Sequence, residues 1–230
     1  MNGVPPGTRC NVTSKIATLA LFYQHNINQH TRLAVWRIEE PEDFFLEEVP
    51  LKQDVTHPYK RLQHLAGRYL LRVLFPDFPL EEIQVADTKK PFLPGEHYHF
   101  SISHSGNFAA AIASSISRVG IDIELITPRI ERISAKFLAE GEKEFLRNWE
   151  LFDQLRLELT TVIWSAKEAL FKWYGAGKVD FREHMQLNGR PSLNPTEWMR
   201  LPYFFGKEGG WNLEVQARIF SPLVLAYVVT

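Results

Sequence analysis

The sequence predicts an α+β protein, and three observations carry that prediction. A strong helical pattern opens at Pro58, a second covers about residues 153–173, and apolar strand-like runs lie between and after them. Strands and helices are mixed without strict β-α alternation. The 230 residues are 45% hydrophobic, enough to bury a substantial core in one large domain or two small ones.

Residues 1–14 hold Gly and Pro but no apolar core, so they read as an extended leader rather than a signal peptide. Leu33 to Ile38 has strand character. The acids Glu39, Glu40, Glu42 and Asp43 around Pro41 suit a helix N-terminus, where negative charge meets the positive end of the dipole. From Pro58, residues Leu62, Leu65, Ala66, Tyr69, Leu70, Val73 and Leu74 recur at helical spacing, until Pro76 and Pro79 end the run. Phe100 to Ala113 reads as a strand, a turn at Ser105-Gly106-Asn107 and a second apolar run, and Val119 to Ile126 as another strand. Glu131 to Trp149 is helical with mixed charge. The helix over 153–173 ends at Gly175 and Gly177. Residues 178–230 alternate short strand-like runs with Pro and Gly, closing on the apolar run from Leu223 to Val229.

A formal net charge of -1 points to no nucleic-acid partner. Cys10 is the only cysteine, which excludes an internal disulfide framework and argues for a reducing compartment. No apolar run approaches the ~20 residues that span a bilayer. The expectation is a soluble cytoplasmic protein.

Two strings carry the chemistry. Gly120-Ile121-Asp122-Ile123-Glu124, as a strand, puts both carboxylates on one face and both isoleucines in the core. Trp164-Ser165-Ala166-Lys167-Glu168-Ala169-Leu170-Phe171-Lys172, as a helix, places Glu168 and Lys172 four residues apart on one face. Each alone has an ordinary reading, an edge strand with acids in solvent and a surface ion pair. Together, three acids form a hard-cation site beside a lysine. Mg²⁺ needs only a few carboxylates and completes its shell with water and substrate phosphates.

Phe100-Ser101-Ile102-Ser103-His104-Ser105 invites a hydrolase reading, but no G-x-S-x-G elbow is present. Ser103 and His104 then read as a strand end whose hydroxyl and imidazole donate to phosphate oxygens. Residues 58–72 contain Lys60, Arg61, Arg68 and Arg72 and no acid, so the stripe reads either as a solvated face or as an anion site. Lys89-Lys90-Pro91 adds cations before a strand. Gly175-Ala176-Gly177-Lys178 lacks the upstream glycine and the following Ser/Thr of a phosphate-binding loop and is set aside.

In this order the elements resemble the surfactin-type 4′-phosphopantetheinyl transferases. The resemblance rests on Ala66-Gly67-Arg68-Tyr69-Leu70-Leu71-Arg72, Lys90-Pro91, the Phe100–Ser105 segment, Val119-Gly120-Ile121-Asp122-Ile123-Glu124 and Trp164-Ser165-Ala166-Lys167-Glu168 through Lys172. It implies a pseudo-dimer of two similar α+β halves, residues 15–117 and 118–230, with coenzyme A in the cleft between them. It implies Asp122, Glu124 and Glu168 as Mg²⁺ ligands and Glu168 as the base that takes a serine hydroxyl proton. Lys172, Lys90 and His104 would offset diphosphate charge, with Ser103 beside them, and Arg61, Arg68 and Lys60 would meet the 3′-phosphate. The implied partners are coenzyme A and an apo acyl or peptidyl carrier protein, with the chain a monomer. This sequence departs from the family in having Lys89 where a glycine is common. Its 129–147 segment is mixed in charge, and Phe137 and Leu138 there read equally as carrier contacts or as core. The rival readings are an Mg²⁺-dependent nucleotide diphosphate hydrolase and a non-catalytic module that binds coenzyme A or a carrier protein.

Overall fold

A computed structural model describes residues 20–51, 55–194 and 197–230; the leader expected at 1–14, with Cys10, lies outside the described residues. Two antiparallel sheets are stacked face to face, each with a long helix on its outer side. Strands β1 (Leu21–Asn26), β2 (Thr31–Arg37), β5 (His99–Ser105) and β6 (Phe108–Ser114) form the first sheet in the order β1-β2-β6-β5. Strands β7 (Val119–Leu125), β8 (Met185–Leu187), β9 (Met199–Phe205), β10 (Trp211–Phe220) and β11 (Leu223–Val229) form the second in the order β7-β11-β10-β9-β8. A small ribbon pairs β3 (Gln84–Val85) with β4 (Pro91–Phe92).

The period of two in each strand divides its residues between two cores. Leu33, Val35, Ala110 and Ile112 of the first sheet meet Ile121, Ile123, Leu223, Leu225 and Tyr227 of the second in the middle layer. Their neighbours Ala34, Trp36, Ala109, Ala111 and Ala113 face outward onto Leu65, Ala66, Leu70 and Leu74 of helix α2 (Pro58–Leu74). On the other side Val224, Ala226 and Val228 face outward onto Val162, Ala166, Ala169, Leu170 and Trp173 of helix α5 (Asp153–Tyr174). Central strands are therefore buried on both faces, which explains near-continuous apolar runs such as 223–229. The two layers share one connectivity. β2-α2-β5-β6 lie in the order β2-β6-β5, and β7-α5-β10-β11 in the order β7-β11-β10.

Pro58 stands at the first helical position of α2, where its missing N–H costs nothing. Gly175, at φ +73°, ends α5 in the left-handed conformation open to glycine. α5 lies directly on β7 because Gly120 has no side chain. A Cβ there would overlap the Ala169 carbonyl and stand 2.7 Å from the Trp173 amide nitrogen.

The structure departs from sequence expectation in two places. β1 adds an edge strand ahead of the run at 33–38. The helical stretch expected over 131–149 is broken into α3 (Arg129–Ile133), a 3-10 turn at Ser134–Lys136 and α4 (Glu140–Arg147), which follow the short α1 (Glu42–Leu46) in the chain. The break has a tertiary cause and a local one. The Phe137 carbonyl accepts the Lys167 ammonium at 2.7 Å, and the Ala139 amide donates to the Glu142 carboxylate at 2.8 Å. No helix among the described residues is long and apolar enough to cross a membrane.

Candidate active site

β5 and β7 are the facing edges of the two sheets and are not paired as strands. Serine hydroxyls join them instead, at alternate positions of β5. Ser101 Oγ accepts the Ile121 amide at 3.2 Å, Ser103 Oγ donates to Asp122 Oδ1 at 2.8 Å, and Ser105 Oγ donates to Glu124 Oε1 at 2.7 Å. The alternation that sends Ile121 and Ile123 into the middle core turns Asp122 and Glu124 the other way, toward α5. Trp164, Glu168 and Lys172 follow one another on α5 at four-residue steps, along the stripe that overlooks these acids. Lys172 Nζ reaches Asp122 Oδ1 at 2.8 Å and Ser103 Oγ at 2.7 Å, and the Trp164 indole donates to Glu124 Oε2 at 3.4 Å.

Lys172 therefore pairs across elements with Asp122 rather than along the helix with Glu168. Asp122 is 4% exposed, and its Oδ2 is buried with no hydrogen-bond partner. Glu168 is pushed up to about 7, first by burial, then by the charges of Asp122 and Glu124, against the opposing pull of Lys172. A buried acid and two half-buried ones that repel one another and leave a buried oxygen unpaired make a place where added positive charge is favourable. Among the described residues, no three His, Cys, Asp or Glu side chains stand together as a preassembled metal cage. The donor set fits a hard cation that brings its own water and phosphate ligands, and Asp122 Oδ2 is the open oxygen.

The basic residues divide. His104 is within electrostatic reach of Lys60, Lys172 and Asp122, and His64 of Arg68 and His104, so α2 brings Lys60 and Arg68 to the cleft beside imidazoles that burial and these cations hold below their ordinary value, His64 at about 4. Arg68 donates to His64 Nδ1 at 3.0 Å, and burial lowers it to about 10. Arg61 pairs with Glu42 at 2.9 Å, and Arg72 with Glu81 at 2.8 Å and Glu48 at 3.5 Å. Residues 58–72 contain no acid, yet the fold supplies acids from elsewhere to two of the arginines. Lys90 donates to the Trp173 carbonyl at 3.3 Å, at the C-terminal end of α5, and its stem lies against Gly175. Burial, then Arg118, lower Lys90 to about 8. Thr88, Lys89, Lys90, Ile102, Phe171 and Lys172 line a cavity of about 230 Å³. Lys90 also borders a second cavity of about 450 Å³, beside Tyr98, Arg118 and Tyr174.

Sequence reasoning left Ser101, Ser105 and Lys167 without roles. The alternating serines of Ser101-Ile102-Ser103-His104-Ser105 are the signal for the first two, because alternate strand positions share a face. Lys167 is 0% exposed inside an apolar helix face, and only tertiary structure reveals its partners. Phe137 and Leu138, at 1% and 6% exposure, belong to the core.

The pattern of the 4′-phosphopantetheinyl transferase superfamily matches residues 118–228, which include both acids of β7, Glu168 and Lys172. The chain is 32% identical over 147 residues to the 4′-phosphopantetheinyl transferase AcpT of Escherichia coli O157:H7, covering 60% of this chain and 73% of that protein. It is 30% identical over 156 residues to the 4′-phosphopantetheinyl transferase HetI of Nostoc sp., covering 63% of this chain and 62% of that protein. A putative 4′-phosphopantetheinyl transferase of Haemophilus influenzae is 32% identical over 128 residues, 54% of this chain and 53% of its own length. A family match over residues 118–228, and an alignment at 32% identity over nearly three quarters of a related transferase, lead to one conclusion: the chain belongs to the 4′-phosphopantetheinyl transferase superfamily.

Proposed function

We propose that this protein transfers the 4′-phosphopantetheine group of coenzyme A to a serine hydroxyl of an apo carrier protein. The single observation that carries the reading is the convergence of Asp122, Glu124, Glu168 and Lys172 between β7 and α5, within the region matched by the superfamily. The shared connectivity of the two layers supports a pseudo-dimer of halves 15–117 and 118–230, with the cleft between them as the substrate site. The chain works as a monomer in the cytoplasm.

In this mechanism the serine oxygen attacks the β-phosphorus of coenzyme A. The bond from that phosphorus to the bridging oxygen breaks, and 3′,5′-ADP leaves. Glu168 takes the hydroxyl proton, directly or through a water. Its position suits it to that role, on the α5 stripe with Lys172 and within electrostatic reach of Asp122 and Glu124. Asp122, Glu124 and Glu168 would hold Mg²⁺, which when bound supplies positive charge to the diphosphate oxygens. Lys172, freed in part from Asp122, offsets the charge that builds on the bridging oxygen as 3′,5′-ADP leaves, His104 donates a hydrogen bond to the diphosphate, and Lys90 closes the far side of the cavity. Ser103 holds Asp122 and Lys172 in register, its proton on Asp122 and its oxygen on the Lys172 ammonium, and meets a phosphate oxygen by turning that proton from Asp122 to it. Arg68 and Lys60 receive the 3′-phosphate, with Arg61 joining by exchanging Glu42 for it. Positioning and charge neutralisation supply most of the catalysis.

The test is to incubate the protein with coenzyme A, Mg²⁺ and an apo carrier protein and to weigh the carrier. The expected result is one phosphopantetheinyl group added per carrier, lost on adding EDTA. Consumption of coenzyme A with an unmodified carrier would establish hydrolysis instead, and an unchanged mixture across a panel of carriers, with coenzyme A bound by the protein, would establish a binding module.

A further inference from the structure

We infer that Lys167 and Trp164 form a positioning device that fixes the carboxylate of Glu124. Lys167 spends its three donors inside the protein, on the Phe137 carbonyl at 2.7 Å, the Phe181 carbonyl at 2.9 Å and Glu142 Oε2 at 2.6 Å. The same two phenylalanines pack their rings on Trp164, with centroids 4.9 and 5.8 Å away. Trp164 in turn aims its indole N–H at Glu124 Oε2 at 3.4 Å, while Ser105 holds the other oxygen at 2.7 Å. One ammonium thus ties down the backbone of two rings, the rings hold an indole, and the indole orients an acid.

A buried ion pair is a poor stabiliser, because desolvation consumes most of its attraction, and replacing such pairs with apolar side chains is often neutral. Lys167 and Glu142 are 0% and 1% exposed, so stability alone gives little reason for charge at this point. Geometry gives a better one. Lys167 sits one residue before Glu168 on α5, so the same anchor that seats the Trp164 rings also sets the helix that carries Glu168. Partners that orient metal-binding carboxylates commonly govern affinity by ten- to a hundredfold, roughly, without touching the ion.

This inference rests on the reading of Glu124 as a cation ligand, and its experiment separates the two. Mn²⁺ binding to the protein without coenzyme A is titrated by electron paramagnetic resonance for the parent, Glu124→Gln, Trp164→Phe and the double variant Lys167→Met/Glu142→Leu. Trp164→Phe keeps one aromatic ring between Phe137 and Phe181 and loses the N–H together with the second ring of the indole. The double variant removes both charges, so no unpaired ion is left in the core. Expected are about tenfold weaker Mn²⁺ binding in Trp164→Phe and in the double variant, and a larger loss in Glu124→Gln. The Mg²⁺ concentration for half-maximal transfer should rise in step, while the KM for coenzyme A at saturating Mg²⁺ stays near the parent value. Parent-like Mn²⁺ affinity in Trp164→Phe, with affinity lost in Glu124→Gln, would overturn the positioning role. Parent-like affinity in Glu124→Gln would overturn the ligand reading itself.

Discussion

Replacing Glu168 by Gln should stabilise the cation-free protein, by an amount that grows with pH. Glu168 is held at about 7 by burial and by Asp122 and Glu124, against an ordinary 4.5. A raised carboxylate favours the fold fully below the unfolded value and loses that contribution as pH rises through the folded value. The shift is about 2.5 units, so at roughly 1.4 kcal/mol per unit the ionised side chain costs about 3 kcal/mol above pH ~7. Glutamine has the same shape and no proton to lose. In EDTA, urea unfolding should place the two proteins level near pH ~4.5 and Glu168→Gln ahead by up to about 3 kcal/mol at pH ~8. In thermal melts of a chain this size the gap corresponds to roughly 6–12 °C. Saturating Mg²⁺ at the upper pH should raise the parent and leave the variant nearly unchanged. A stability difference that stays constant across this pH range would refute the repulsion argument.

Ser103→Ala should cost about 2 kcal/mol, since it removes a bond to a buried charge, and should slow transfer because Lys172 and Asp122 lose their common partner. The paired measurements are a urea titration and steady-state kinetics. Gly120→Ala should cost about 2 kcal/mol or more and reduce transfer, because the added methyl meets the backbone of α5 and must push the helix, with Glu168 and Lys172, away from β7. Parent-like melting and activity would show that α5 can slide at no cost. Lys167→Met alone should destabilise the fold by about 3–5 kcal/mol by stranding the Glu142 carboxylate, and adding Glu142→Leu should recover most of that loss. Chemical denaturation of the single and double variants checks the pair.

The sequence by itself determined the kinds of element and the chemical character of the site. Alternation in Ile121-Asp122-Ile123-Glu124 separates core from acid, and four-residue steps in α5 line up Trp164, Glu168 and Lys172, because both periods follow from backbone geometry within one element. Only the tertiary structure decided which element each side chain answers. It paired Lys172 with Asp122 rather than with its helix neighbour Glu168, sewed β7 to β5 through three serines, and gave Arg61 and Arg72 acids from outside their own helix. It broke the 131–149 helix so that Phe137 could meet Lys167. Pairings of this kind depend on distances between segments far apart in the chain, and local periodicity carries no record of them.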